Sequence, residues 1–210
     1  ADRIVVCRPG APKSPRRVEP KEVGPILFVG TIEPRKNLDI LFRAYARVVT
    51  GRPDAPPLVL AGRTVEQSAA ILEPLTRAPL AGRARHLGYV DASVRRQLLE
   101  KASMLVLPSL EEGFGIPALE AMAAGVPVVA SRRGALPEVL GEAGTLVDPV
   151  IDETFAAPIE TLLANPQLRS AQAEAGVLRA REFTWEESAV QLLTAYHAAC
   201  ERQRRSKAPS

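Results

Sequence analysis

Two short aliphatic runs, 104–107 and 126–129, bracket a glycine-containing stretch, Glu112-Gly-Phe-Gly-Ile-Pro-Ala-Leu-Glu-Ala-Met-Ala-Ala-Gly125. It reads as a buried strand, then a turn built on Gly113 and Gly115, then a short helix starting at Pro117. Glycine permits the tight turn, and proline fits a first helical position where a missing amide costs nothing. Strand, helix and strand in that order require a crossover, and right-handed crossovers build parallel sheets.

The same alternation runs through the chain. Candidate strands are 26–30, 58–61, 84–87, 104–107, 127–130 and 145–147. They are near-continuous aliphatic, as expected of strands covered on both faces. Helical patterns fill the gaps. Asn37 is the expected N-cap of a helix with Leu38, Leu41, Phe42, Tyr45 and Val48 or Val49 on its apolar stripe. Asp91 or Ser93 opens another that buries Val94, Leu98 and Leu99. Helices over 152–164, 166–182 and 184–202 close the chain, and Thr184 with Glu187 has capping-box spacing. The fold class is α/β, a Rossmann-like, doubly wound parallel sheet.

Composition narrows the partners. At 210 residues with 46% apolar and 4% aromatic content, the chain supports one aliphatic core. A net charge of +3 suits an anionic small ligand and is too mild for a nucleic-acid binder. Cys7 and Cys200 form no CxxC pair, so neither a disulfide framework nor a zinc site is expected. A reducing compartment is the default. No apolar run reaches membrane-spanning length. The start, Ala1-Asp-Arg-Ile-Val-Val-Cys7, is no signal peptide and reads as a cut end within a longer protein. Residues 8–25 hold five prolines and alternating charge, a linker rather than a helix. The basic last ten residues read as a solvated tail rather than a membrane or nucleic-acid contact.

Two loops carry chemistry. Gly30-Thr-Ile-Glu-Pro-Arg-Lys-Asn37 leaves the first strand and opens a helix, whose N-terminus favours anions. Arg35 can fork onto phosphate oxygens and Lys36 adds a compact charge. By itself the pair reads more simply as a solvated basic step before a helix. The second loop changes that reading. Glu112 in the loop and Glu120 one turn into the helix aim two carboxylates beyond a strand's carboxyl end, where open parallel sheets bind ligands. Carboxylates accept hydrogen bonds from vicinal hydroxyls. Two such acids around an anion site describe a sugar–diphosphate–ribose ligand, a nucleotide sugar. Two other patterns weigh less. Gly113–Ala118 matches G-x-G-x-x-A, but no ribose-binding acid ends the following strand. The two acids are not placed across an open cleft as a glycosidase requires. His86, at a strand end, and His197, on the last helix, read as core or surface residues rather than catalytic ones.

With GTIEPRKN, LVLAG, HLGYVD and LVLPSLEEGFGIPALEAMAAGVPVVAS in place, the chain resembles the C-terminal, donor-binding half of retaining GT-B glycosyltransferases, family 4 (glycosyl transferases group 1). The resemblance spans roughly residues 25–199 and includes FTWEESA at 183–189. It implies that Lys36 and Arg35 hold the donor diphosphate, with Gly30 and Thr31 lining the loop. Glu112 would bind the transferred sugar, with Gly113, Phe114, Gly115 and Ile116 adding backbone contacts. Glu120 would take the ribose, and Tyr89 and Val90 would line the base site. Arg35, Lys36 and Glu112 are the implied catalytic groups. Many members place arginine where this chain has Thr31, and Arg35 is the expected substitute.

Hexosyl transfer with retention is implied, from GDP-mannose, a related donor or a UDP-sugar, in cell-surface polysaccharide or glycolipid synthesis of bacterial type. No cofactor and no metal are expected, and the sequence has no Asp-x-Asp. The implied division is 1–24, a strand and linker from an acceptor domain outside this sequence; 25–182, the nucleotide-sugar domain; 183–203, a terminal helix; and 204–210, a disordered basic tail. The partner is the N-terminal acceptor domain of the same protein, at a cytoplasmic location with peripheral contact at the inner membrane face. A stand-alone nucleotide-sugar-binding module and a nucleotide-sugar epimerase remain alternatives. A phosphorylase would need a pyridoxal lysine context that is not found.

Overall fold

The structure, a computed structural model, describes residues 4–12 and 23–206. Six short strands form one parallel sheet: β1 (Ile26–Val29), β2 (Leu58–Ala61), β3 (Ala84–His86), β4 (Met104–Leu107), β5 (Val128–Ser131) and β6 (Thr145–Val147). Their order is β3-β2-β1-β4-β5-β6. The chain winds outward one way from β1 through β3, then returns to β4 and winds the other way. The order therefore reverses between β1 and β4, and ligands of such sheets bind in the crevice at that point.

Every residue of β1, β2, β4 and β5 is buried, whereas the edge strands β3 and β6 are only partly so. This is why the central strands are almost wholly aliphatic. The covering helices are α1 (Leu38–Gly51), α2 (Ser68–Leu72), α3 (Ala92–Lys101), α4 (Ile116–Ala124), α5 (Leu136–Leu140), α6 (Glu153–Ala164), α7 (Pro166–Ala180) and α8 (Trp185–Ser206). The buried core joins Ile26, Phe28, Tyr45, Leu58, Leu60, Met104 and Phe155. The short α2 and α5, and the 3-10 turns Pro34–Lys36 and Glu73–Thr76, were not expected from the sequence. Each spans too few residues to display a period.

Several local expectations need correction. Asn37 stands at the entry to α1 but does not cap it. Its φ is +52° and its side chain makes no cap hydrogen bond. Instead Nδ2 donates to the Pro108 and Pro149 carbonyls at 3.2 and 3.0 Å, tying three loops together. Asparagine tolerates this left-handed conformation better than most residues. On α3, Asp91 caps the helix by accepting from the Val94 amide at 2.8 Å. Leu99 is buried there, but Leu98 is half-buried and Val94 exposed, because α3 lends the core a narrower stripe than expected.

At the chain's end, Thr184 Oγ1 accepts from the Glu187 amide at 3.0 Å, as the cap predicts. The helix then runs to Ser206, so 204–206 is helical rather than tail; 207–210 lies outside the described residues. Residues 4–12 carry no regular secondary structure, so the strand expected there is not seen among them, and 13–22 of the expected linker lies outside the described residues. The segment packs on the chain's own last helix. The Ala11 amide donates to the Phe183 carbonyl at 2.8 Å, and a Cβ on Gly10 would lie 2.5 Å from the Trp185 nitrogen. No described helix is long and apolar enough to cross a membrane.

Candidate functional site

The loops leaving β1 and β4 meet at the point of strand reversal. The first passes Gly30 and Thr31 and closes in the 3-10 turn that presents Lys36. The second runs through Ser109 and Glu112 to the start of α4. Lys36 Nζ lies 2.5 Å from Glu112 Oε1, and both side chains are under a tenth exposed. Ser109, itself buried, donates from Oγ to the same oxygen at 2.9 Å. Among the described residues Oε1 carries both bonds, which leaves Oε2 to accept from a hydroxyl.

Arg35 lies at the same junction with its guanidinium engaged. One end is 2.6 Å from Glu33 Oε1, and the other donates to the Glu111 carbonyl at 3.2 Å. The Arg35 carbonyl accepts from the Leu110 amide at 2.8 Å. Arg35 therefore clasps the two loops together.

Glycines shape the second loop. Gly115 has φ +89°, and a Cβ there would sit 2.9 Å from Leu136 Cδ2. Gly134, in the loop after β5, has φ +56°, and a Cβ would come within 2.7 Å of the Glu112 backbone. The Ala135 amide donates to the Glu112 carbonyl at 3.1 Å, so this third loop backs the acid. The amides of Gly113 and Phe114 take no backbone partner among the described residues. The Phe114 ring packs edge-on against Phe183, centroids 5.8 Å apart, fixing the loop from behind. Ile116, the first residue of α4, is exposed.

Glu120 is placed apart from the Lys36–Glu112 pair. It sits on α4 facing α3, where Arg95 holds it at 3.0 Å. Its side chain is 15% exposed. Burial pushes its carboxyl above the ordinary value, and the Arg95 guanidinium pulls it back down. The two line a cleft of about 330 Å³ together with Pro12, Ala92, Ser93 and Arg96. Tyr89 and Val90 lie just before α3, on the loop after edge strand β3; Tyr89 is 73% exposed. His86 Nε2 is 2.8 Å from the carbonyl of Gly62, on the loop after β2; His197 is exposed on α8.

The expected residues thus fall into two groups. Gly30, Thr31, Arg35, Lys36, Glu112, Gly113, Phe114, Gly115 and Ile116 surround the junction of the β1 and β4 loops. Glu120, Tyr89 and Val90 lie along the α3 side. Sequence reasoning missed Ser109, Arg95, Glu33 and Gly134. Ser109 sits three residues before Glu112 and Glu33 two before Arg35, local cues; Arg95 and Gly134 act across elements and leave no such mark. Among the described residues, no group of three His, Cys, Asp or Glu side chains could hold a metal ion.

The chain matches the profile of the family described as glycosyl transferases group 1 over residues 24–165. It is 35% identical over 208 residues to O-antigen chain mannosyltransferase B of Escherichia coli, covering 93% of this chain and 55% of that one. Among solved structures it resembles sucrose-phosphate synthase from Thermosynechococcus elongatus, with TM-score 0.77 and 29% identity, covering 87% of this chain and 47% of that one. It also resembles the C-terminal domain of a glycosyl transferase group 1 family protein from Francisella tularensis. There the TM-score is 0.69 and the identity 25%, covering 78% of this chain and 92% of that one. The chain spans about half the length of the curated relative, 55%.

Proposed function

Since the chain belongs to the glycosyl transferases group 1 family, with the fold of the C-terminal half of a GT-B enzyme, we propose that it holds the donor nucleotide sugar for a retaining hexosyl transfer. The observation that carries this reading is the buried Lys36–Glu112 pair at the point of strand reversal. A charged pair is kept out of water there, and among the described residues one carboxylate oxygen is uncommitted and the amides of Gly113 and Phe114 take no backbone partner. In this reading Glu112 Oε2 accepts a hydroxyl of the transferred sugar. Lys36 Nζ faces the diphosphate, and Arg35 secures the loop that carries Lys36. Glu120 accepts the ribose hydroxyls, and the backbone at Tyr89 and Val90 flanks the base.

As the bond between the anomeric carbon and the diphosphate breaks, negative charge grows on the leaving oxygen. Lys36 and the loop amides stabilise it, and a preorganised donor of this kind is typically worth about 3 kcal/mol of barrier. The positive charge for the leaving group comes from side chains in this reading. Similarity to a mannosyltransferase favours GDP-mannose, with a UDP-sugar as the second choice. The acceptor would come from another part of a longer enzyme that builds surface polysaccharide or glycolipid in the cytoplasm at the membrane face.

Calorimetry with GDP, UDP and ADP tests the donor site. One nucleoside diphosphate should bind, and Lys36→Ala and Glu120→Ala should each weaken it about tenfold or more. A folded sample that binds none of the three removes the proposal.

A further inference from the structure

A nucleotide-sugar diphosphate carries a negative charge on each of its two phosphoryl units. In the reading above Lys36 meets one of them while also bonded to Glu112, and Arg35, expected at the other, is engaged elsewhere. Lys36 is paired with Glu112 at 2.5 Å, and Arg35 with Glu33 at 2.6 Å. The neighbouring strand supplies another. Strands β1 and β2 pair with a constant offset, from Ile26 with Leu58 through Val29 with Ala61. The same offset recurs beyond the strands, where Ile32 bridges Thr64. Thr31 is therefore level with Arg63. Residues level with each other on parallel strands project from the same face, with backbones about 4.8 Å apart.

The two loops are in contact. The Ile32 amide donates to the Arg63 carbonyl at 2.9 Å, and a Cβ on Gly62 would lie only 1.8 Å from the Gly30 carbonyl oxygen. Arg63 is exposed and forms no ion pair among the described residues. The loop after β5 offers two further arginines. Arg132 donates to the Leu146 carbonyl at 3.2 Å. Arg133 has no such partner among the described residues, but β4 separates its strand from β1.

We propose that Arg63, reaching from the β2 loop across Thr31, is the guanidinium that binds the second phosphate of the donor. The assignment rests on the donor-site reading above. A guanidinium level with the first side chain of the phosphate loop can fork onto two oxygens of one phosphoryl unit. This fills the place expected for Arg35, whose own fork holds loop to loop.

The test compares nucleoside diphosphate with nucleoside monophosphate on the 210-residue chain by calorimetry, using whichever base binds best. Arg63→Ala should lower the ratio of diphosphate to monophosphate affinity about tenfold. Arg133→Ala should leave that ratio within twofold. Arg63 is exposed, so its variant should fold, and circular dichroism checks this. An unchanged ratio in Arg63→Ala, or a fall in Arg133→Ala instead, overturns the assignment while the donor site stands. If the parent chain binds no nucleotide at all, the donor site itself falls.

Discussion

Replacing Lys36 with methionine removes the charge beside Glu112 and keeps most of the side-chain volume. Glu112 would remain under a tenth exposed with Ser109 as its side-chain donor. Breaking one partner of a buried pair costs about 3–5 kcal/mol, because a charge stays buried without compensation.

Lys36→Met should therefore lose about 3 kcal/mol of stability at pH 7 against the parent. Adding Glu112→Gln should bring the protein back to within about 1 kcal/mol of the parent, since no buried charge then remains. Urea unfolding followed by circular dichroism at pH 7 reads these differences. A double variant as unstable as Lys36→Met would refute the pairing outright.

Two further substitutions probe the same geometry. Asn37→Asp should destabilise the protein by about 2 kcal/mol, because it replaces two donated hydrogen bonds with a carboxylate facing two carbonyls. A residue that merely capped α1 would tolerate aspartate, so an unchanged melting temperature would return Asn37 to that role. Arg95→Ala removes the group that pulls the Glu120 carboxyl down, while Arg96 still lines the cleft. Ribose binding needs the ionised carboxylate, so nucleoside diphosphate affinity should fall as pH drops through its raised value. In Arg95→Ala that fall should come at a higher pH than in the parent, and a 2′,3′-dideoxy analogue should show no fall in either. Coincident pH profiles for parent and variant would deny Arg95 this role.

Much of the scaffold was legible because its signals are local. Apart from the edge strand β3 (Ala-Arg-His), the strands are short, mostly aliphatic runs with glycine or proline at one or both ends, and all six occur within a residue or so of their expected bounds. The glycine turn before α4 and the threonine cap of α8 were equally readable, since both depend on neighbours a few positions away. The loops bearing Lys36 and Glu112 follow from where those strands end. Asn37 shows the limit of such reasoning. Its position and residue type suit a cap, yet contacts with two distant loops hold it in another conformation.

By itself, the sequence determined that a parallel α/β sheet would form and which loops would carry charge and hydroxyl-binding groups. Backbone propensity and apolar period are written into adjacent residues. Only the tertiary structure decided the strand order, which sets β1 beside β4 and brings Lys36 onto Glu112 across 76 residues. It also decided that Arg35 would clasp loops, that Arg95 would hold Glu120, and that Arg63 would stand level with Thr31. Those outcomes depend on how close separate elements come. Charge pairing follows that distance in space, on which spacing along the chain is silent.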